Sequence, residues 1–340
     1  MRQWPLTQRT IHGASLGQDS SGEQGSDMKR GTRFGLAAAL LVAMANGGPA
    51  RAQFSDGEVK SARRGMTWQQ GHDAKWYLDQ HARMSAAIAA LKPERKKIAD
   101  AWVLSIALDS DPVFGREAQE AARVLSRRYG ADGHTMVLAA GSKTAPNGSP
   151  PNIATALAAM ADKMNRDEDV LVLYATAHGA PGVGIVFKDG DNGYGYLAAE
   201  RLSEMLNELG IKQRLILISA CYSGQFINDM ATPESVIVTA SDDDRTSFGC
   251  APGNDWTFFG DAMINNALRK PVAFEPATVD AFSLIATWEN GNDLTPSQPR
   301  LFIGPNAKPW LAALEGKLPA ATPKVGRPAI EEAKPAIVGR

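Results

Sequence analysis

Leu171-Val172-Leu173-Tyr174-Ala175-Thr176-Ala177-His178-Gly179 and Leu215-Ile216-Leu217-Ile218-Ser219-Ala220-Cys221 decide how this chain folds. Both runs are apolar throughout rather than alternating, the pattern of strands buried on both faces of a parallel sheet. Outward from them the spacing predicts further strands at 102–108, 134–140, 235–239 and 301–303. Between these lie helical periods at 74–91, 115–128, 152–165, 199–209 and 256–268, with 94–100 continuing the first or forming a second short helix. Residues 183–187 and 194–197, around Asp189-Gly190-Asp191-Asn192-Gly193, read as a hairpin. Apolar strands alternating with helices predict an α/β fold, helices covering both faces of a mainly parallel sheet.

Composition narrows the class. The chain has 340 residues, 44% hydrophobic and 21% charged, which excludes a disordered or collagen-like protein. Lys and Arg total 36 against 37 Asp and Glu, so no bulk charge draws the chain to nucleic acid. Two cysteines cannot build a disulfide framework, and no C-x-x-C or His/Cys cluster offers a zinc site.

The N-terminal region reads as targeting. Lys29, Arg30 and Arg33 precede an apolar stretch from Phe34 to Ala45, and Ala50-Arg51-Ala52 is a small-x-small cleavage signal. Residues 28–52 are therefore expected to be a signal peptide, with 1–27 a polar extension ahead of the true start. The mature chain would be periplasmic or secreted and carry no membrane span. Residues 53–99 are expected to be a helical lead-in, 100–305 the main domain, and 306–340, with Pro309, Pro319, Pro323, Pro328 and Pro335, a flexible tail.

Chemistry is expected beyond the carboxyl ends of the strands. His178 and Cys221 close two apolar runs there; on neighbouring strands about 4.8 Å apart, both would reach one cleft. A thiol beside an imidazole is the minimum for covalent acyl transfer. Gly179, lacking Cβ, lets its N–H approach a substrate oxyanion. Taken singly, Cys221 and His178 would be a buried cysteine and a core histidine; their joint placement favours catalysis. Cys250 is a second thiol with which Cys221 could pair under oxidising conditions.

Other motifs fail. Asp189, Asp191 and Glu200 mimic a calcium loop, but Tyr194 stands where its sixth position needs Gly. Gly182-x-Gly184 lacks the rest of a phosphate loop, and the surroundings of Cys221 lack the flanking glycines of a hydrolase elbow.

An apolar strand ending in His-Gly, then one ending in Ala-Cys, resembles the caspase-like cysteine peptidases. Val236-Ile237-Val238-Thr239-Ala240, Arg245-Thr246-Ser247-Phe248-Gly249-Cys250 and Thr257-Phe258-Phe259-Gly260-Asp261 are similar in order and spacing to the legumain (asparaginyl endopeptidase) branch. The resemblance covers about residues 100–304 and implies a caspase-like α/β/α sandwich with about six strands. It implies Cys221 as nucleophile, His178 as general base and acid, and the N–H groups of Gly179 and Cys221 as oxyanion hole. It implies a P1 pocket for Asn lined by Arg116, Ser219, Ser247 and Asp261, needing no metal or organic cofactor. Its expected partner is a peptide or protein substrate.

Three departures follow from the same resemblance. Ser219 replaces a pocket Glu, which makes Asp at P1 plausible beside Asn. Phe114 replaces the Asn that orients the histidine, leaving a dyad with Asp111 as a nearby substitute. The tail is too short for the helical prodomain of animal and plant legumains. A transpeptidase using the same dyad, or a catalytically silent peptide-binding protein, remains the alternative.

Overall fold

Strand β2 (Ala101–Ala107), β3 (Thr135–Ala139), β4 (Val170–Thr176), β8 (Arg214–Ser219), β9 (Ser235–Thr239) and β10 (Arg300–Ile303) form one sheet in the order β10-β9-β8-β4-β2-β3. All pairs are parallel except β10 with β9. The computed structural model describes residues 67–69 and 71–331, all within one compact unit. The expected extension, signal peptide and first part of the lead-in lie outside these residues, as does 332–340 of the tail.

The strands are apolar throughout because both faces are covered. Trp102, Leu104, Ile106, Leu171, Leu173, Ile216 and Ile218 pack toward α1 (Ala74–Ala90), α3 (Pro150–Ala161), α4 (Ala199–Glu208) and α5 (Gln225–Met230). Val103, Val172, Tyr174, Leu215, Leu217 and Val238 face the other way. They meet α2 (Pro112–Tyr129), a π-helix (Gly260–Ala267), α6 (Phe274–Asn290) and α7 (Ala307–Leu314). The result is the expected α/β/α sandwich with a six-stranded, mainly parallel sheet.

The expected hairpin belongs to a second, antiparallel sheet with the order β1 (Thr67–Gln69), β7 (Gly193–Leu197), β6 (Gly184–Asp189), β5 (Gly179–Ala180). Strand β5 begins one residue after His178, so this sheet braces the carboxyl end of β4. Helices α2 and α3 start earlier than their periodicity indicates, each with Pro in its first turn, where the missing N–H costs nothing. Residues 94–100 form no helix; Asp100 instead draws this segment in, accepting from Arg95 N at 2.6 Å.

The tail differs from its composition. Helix α7 occupies its start, and the extended chain beyond it is pinned by side chains of the body. Val325 donates to Asn265 Oδ1 at 3.0 Å and accepts from Trp256 Nε1 at 2.9 Å, while Ala329 is fully buried. A Pro-rich strand with no partner strand has its main-chain groups satisfied by side chains, which fixes it without regular structure. No helix among the described residues is long and apolar enough to cross a membrane.

Candidate active site

Register puts the two reactive side chains side by side. Thr176 of β4 pairs with Ser219 of β8, so His178 and Cys221 each lie two residues past that rung, at the carboxyl edge. Gly179 is forced by this proximity: a Cβ there would stand 1.8 Å from the carbonyl oxygen of Cys221. Val186 N–H donates to His178 O at 2.9 Å, which makes Gly179 and Ile185 a non-hydrogen-bonded pair. The Gly179 N–H therefore points away from β6. Gly179→Ala should remove activity and, because the clash is with backbone, destabilise the fold by about 3 kcal/mol or more. Urea unfolding and peptide hydrolysis measure the two effects; a fully active, equally stable variant would refute the close approach.

After Cys221 the chain turns sharply. Tyr222 sits at φ 57°, a left-handed conformation rare for a bulky residue, and its N–H donates to Arg245 O at 2.7 Å. Such strain persists where the surroundings enforce it, and here it turns the loop after Cys221 into α5. The half-buried Cys221 sulfur accepts the Ser247 N–H at 3.2 Å and lies 3.8 Å from Ser247 Oγ. Burial pushes the thiol up to about 12, with the Cys250 sulfur adding to the rise against the opposing Ser247 contacts.

His178 is held from three sides. Its Nε2 lies 3.7 Å from Asp111 Oδ2, and the Phe114 ring meets it edge-on with centroids 5.1 Å apart. The Cys250 thiol also favours its charged form. Burial alone would lower its pKa; the Asp111 bond, the Cys250 sulfur and the Asp109 charge outweigh that and raise it to about 10. Asp111 is the N-cap of α2, yet its side chain makes no capping bond and reaches the imidazole instead. The bond to His178 lowers the pKa of Asp111 in turn. No hydrogen bond joins Cys221 to His178 among the described residues.

Asp109, Asp111 and His178 bring one donor atom each within 4.8 Å of one another, a spacing that suits a cation. Lys188 already supplies the positive charge, its Nζ 3.3 Å from Asp111 Oδ1 and 4.0 Å from Asp109 Oδ1. Burial raises the pKa of Asp109.

The four expected pocket residues separate into two groups. Ser247 lies against Cys221, and Arg116 stands half-exposed on α2, two residues from the Phe114 that touches His178. The Arg116 guanidinium donates to Pro252 O and Asn254 O and pairs with Asp255 at 3.6 Å, holding the loop after Cys250. Ser219 and Asp261 are buried elsewhere. Asp261 accepts from Asn265 Nδ2 at 2.8 Å and from the Ala329 N–H at 2.8 Å, anchoring the tail, and no hydrogen bond or ion pair joins it to Arg116. Burial raises its pKa.

Ser219 donates instead to a residue that sequence reading passed over. Glu117, fully buried on α2, takes Tyr174 Oη at 2.6 Å, Thr176 Oγ1 at 2.8 Å and Ser219 Oγ at 2.9 Å on one oxygen. Its other oxygen takes the Thr257 N–H at 2.8 Å. A carboxylate thus stands behind Ser219, where the resemblance led one to expect its loss. Its only signal in the sequence is a Glu on the apolar face of an amphipathic helix. Glu117→Ala would strand four buried donors, each costing about 1–3 kcal/mol. The expected loss in urea unfolding is at least about 3 kcal/mol; a loss under about 1 kcal/mol would mean the network does not hold the strand ends.

Comparisons with known proteins stand beside this geometry. Residues 155–285, which include His178 and Cys221, match the Peptidase C13 family model. Caspase-1 from Spodoptera frugiperda is structurally similar, at 13% identity and a TM-score of 0.41 over 63% of this chain and 89% of that one. No curated protein matches the sequence. The family match supports a cysteine peptidase.

Proposed function

We propose that this chain is a cysteine endopeptidase that cleaves after Asn, and after Asp to a lesser degree, through Cys221 and His178. The observation that carries the reading is the meeting of His178-Gly179 with Cys221 at adjacent strand ends, within the segment that matches the Peptidase C13 family.

The Cys221 sulfur attacks the scissile carbonyl carbon while the N–H groups of Gly179 and Cys221 receive the developing oxyanion. His178 protonates the departing amine, leaving a thioester on Cys221. His178 then takes a proton from water, whose oxygen attacks the thioester and releases the acid and the thiol. With Nε2 turned to Asp111, Nδ1 is the nitrogen left to exchange protons with sulfur and amine. Catalytic contacts are often long without substrate, so substrate binding is expected to bring the imidazole to Cys221.

At P1, Arg116 and Ser247 offer donors to the substrate amide oxygen, and the carbonyls that Arg116 gathers after Cys250 offer acceptors. Asp261 is left to the tail. Export by residues 28–52 to a periplasmic or extracellular site is part of the same proposal.

A fluorogenic tripeptide panel varying only P1 (Asn, Asp, Ala, Lys, Arg) tests it. Cleavage should be confined to Asn and Asp, with Arg116→Ala losing on the order of 10²-fold in kcat/KM for them. Cleavage after Lys or Arg would overturn the pocket while keeping the peptidase. No cleavage by folded protein with free thiols would favour a silent binding module.

A further inference from the structure

Cys250 has no part in the peptidase chemistry, yet it lies at the centre of the site. The segment from Arg245 to Cys250 wraps the nucleophile. Arg245 O accepts from Tyr222 N–H at 2.7 Å, and Ser247 bonds the Cys221 sulfur through its N–H at 3.2 Å. Three residues later the half-buried Cys250 packs against the apolar cluster that contains Phe114, the ring that stands edge-on to His178, and its thiol favours the charged form of His178. Both thiols are free. Residues 247–256 contain no helix or strand, and Gly249 sits at φ 89° just before Cys250, so the thiol can move without breaking a ladder or a helix.

We infer that Cys221 and Cys250 form a reversible disulfide with small-molecule disulfides such as oxidised glutathione, Cys250 acting as the resolving thiol. The Cys221 thiolate attacks one sulfur of the oxidant; the S–S bond breaks and one glutathione thiolate leaves. Cys250 attacks the Cys221 sulfur of the mixed disulfide, its proton passing to the second glutathione thiolate as that group leaves. Two protein thiols are oxidised and one glutathione disulfide is reduced to two glutathione thiols. The product lacks the nucleophile; it is a latent state that needs no prodomain. Only this last consequence rests on the peptidase reading.

The test is mass mapping of the full chain after incubation with oxidised glutathione and quenching by alkylation. Trypsin separates the thiols, since Cys221 lies in 215–245 and Cys250 in 246–269. The expected result is a chain two hydrogens lighter in which those two peptides are linked, reverting on dithiothreitol. Cys250→Ser should stop at a glutathione adduct on Cys221. A stable adduct on Cys221 of the unsubstituted protein with Cys250 still alkylatable would overturn the inference. So would two unmodified thiols under conditions that oxidise free cysteine. Neither readout uses peptide cleavage, so a failed peptidase reading leaves the outcome interpretable.

Discussion

Cys221→Ala is expected to lower kcat/KM toward an Asn-containing peptide by about 10⁵-fold or more, because the covalent intermediate cannot form. What remains comes from the Gly179 and Cys221 N–H groups and from substrate binding, which survive the change. The fold should survive as well: the lost sulfur bonds only Ser247, while Cys221's backbone, against which Gly179 packs, is untouched. His178→Ala should cost nearly as much, and the double variant little more, since the two residues act as a unit. Kinetics with thermal melting as a fold control check this. Residual activity above about 1% in Cys221→Ala would move the nucleophile elsewhere, with Cys250 the next thiol to remove.

The second large effect is on pH dependence. With His178 held at about 10 and Cys221 at about 12, both carry protons near neutrality. The pair must lose one proton before it can react, whether it then exists as thiolate with imidazolium or thiol with imidazole. Activity should therefore climb on the alkaline side of about pH 7. Asp111 helps raise His178, so Asp111→Asn removes a stabiliser of the imidazolium and lowers its pKa. The climb should move to lower pH, while the plateau falls because the imidazole loses the group that orients it. A structural role alone would lower activity without moving the curve. An unshifted profile in a folded Asp111→Asn protein would show that Asp111 does not act on His178.

Much of the architecture was legible because burial on both sheet faces leaves its mark in the strands themselves. Nothing polar interrupts Val170–Leu173 or Leu215–Ile218. The helix from Phe274 to Asn290 was not legible, since Glu275, Pro276 and Thr278 at its start read as turn residues. The tail was misread for a related reason. Composition reports that a segment cannot form its own core, not that Asn265, Trp256 and Asp261 wait to bind its backbone.

At the site, His178, Gly179 and Cys221 could be placed because each ends a strand or follows one. Asp111 could be singled out only as a substitute; its failure to cap α2 and its reach to His178 are properties of the folded chain. Glu117 works through a partner more than a hundred residues away, Ser219. Sequence spacing carries no information about such contacts. Asp261 shows the converse: a matching position whose side chain the fold has put to another use.

The most direct measurement is active-site labelling with a short peptide that carries Asn at P1 followed by a Michael acceptor. Digestion then locates the adduct. A single adduct on Cys221, slowed in His178→Ala and blocked by competing Asn peptide, is the predicted result. An adduct on Cys250 with Cys221 unmodified, or labelling indifferent to the P1 residue, would contradict the assignment of nucleophile and pocket.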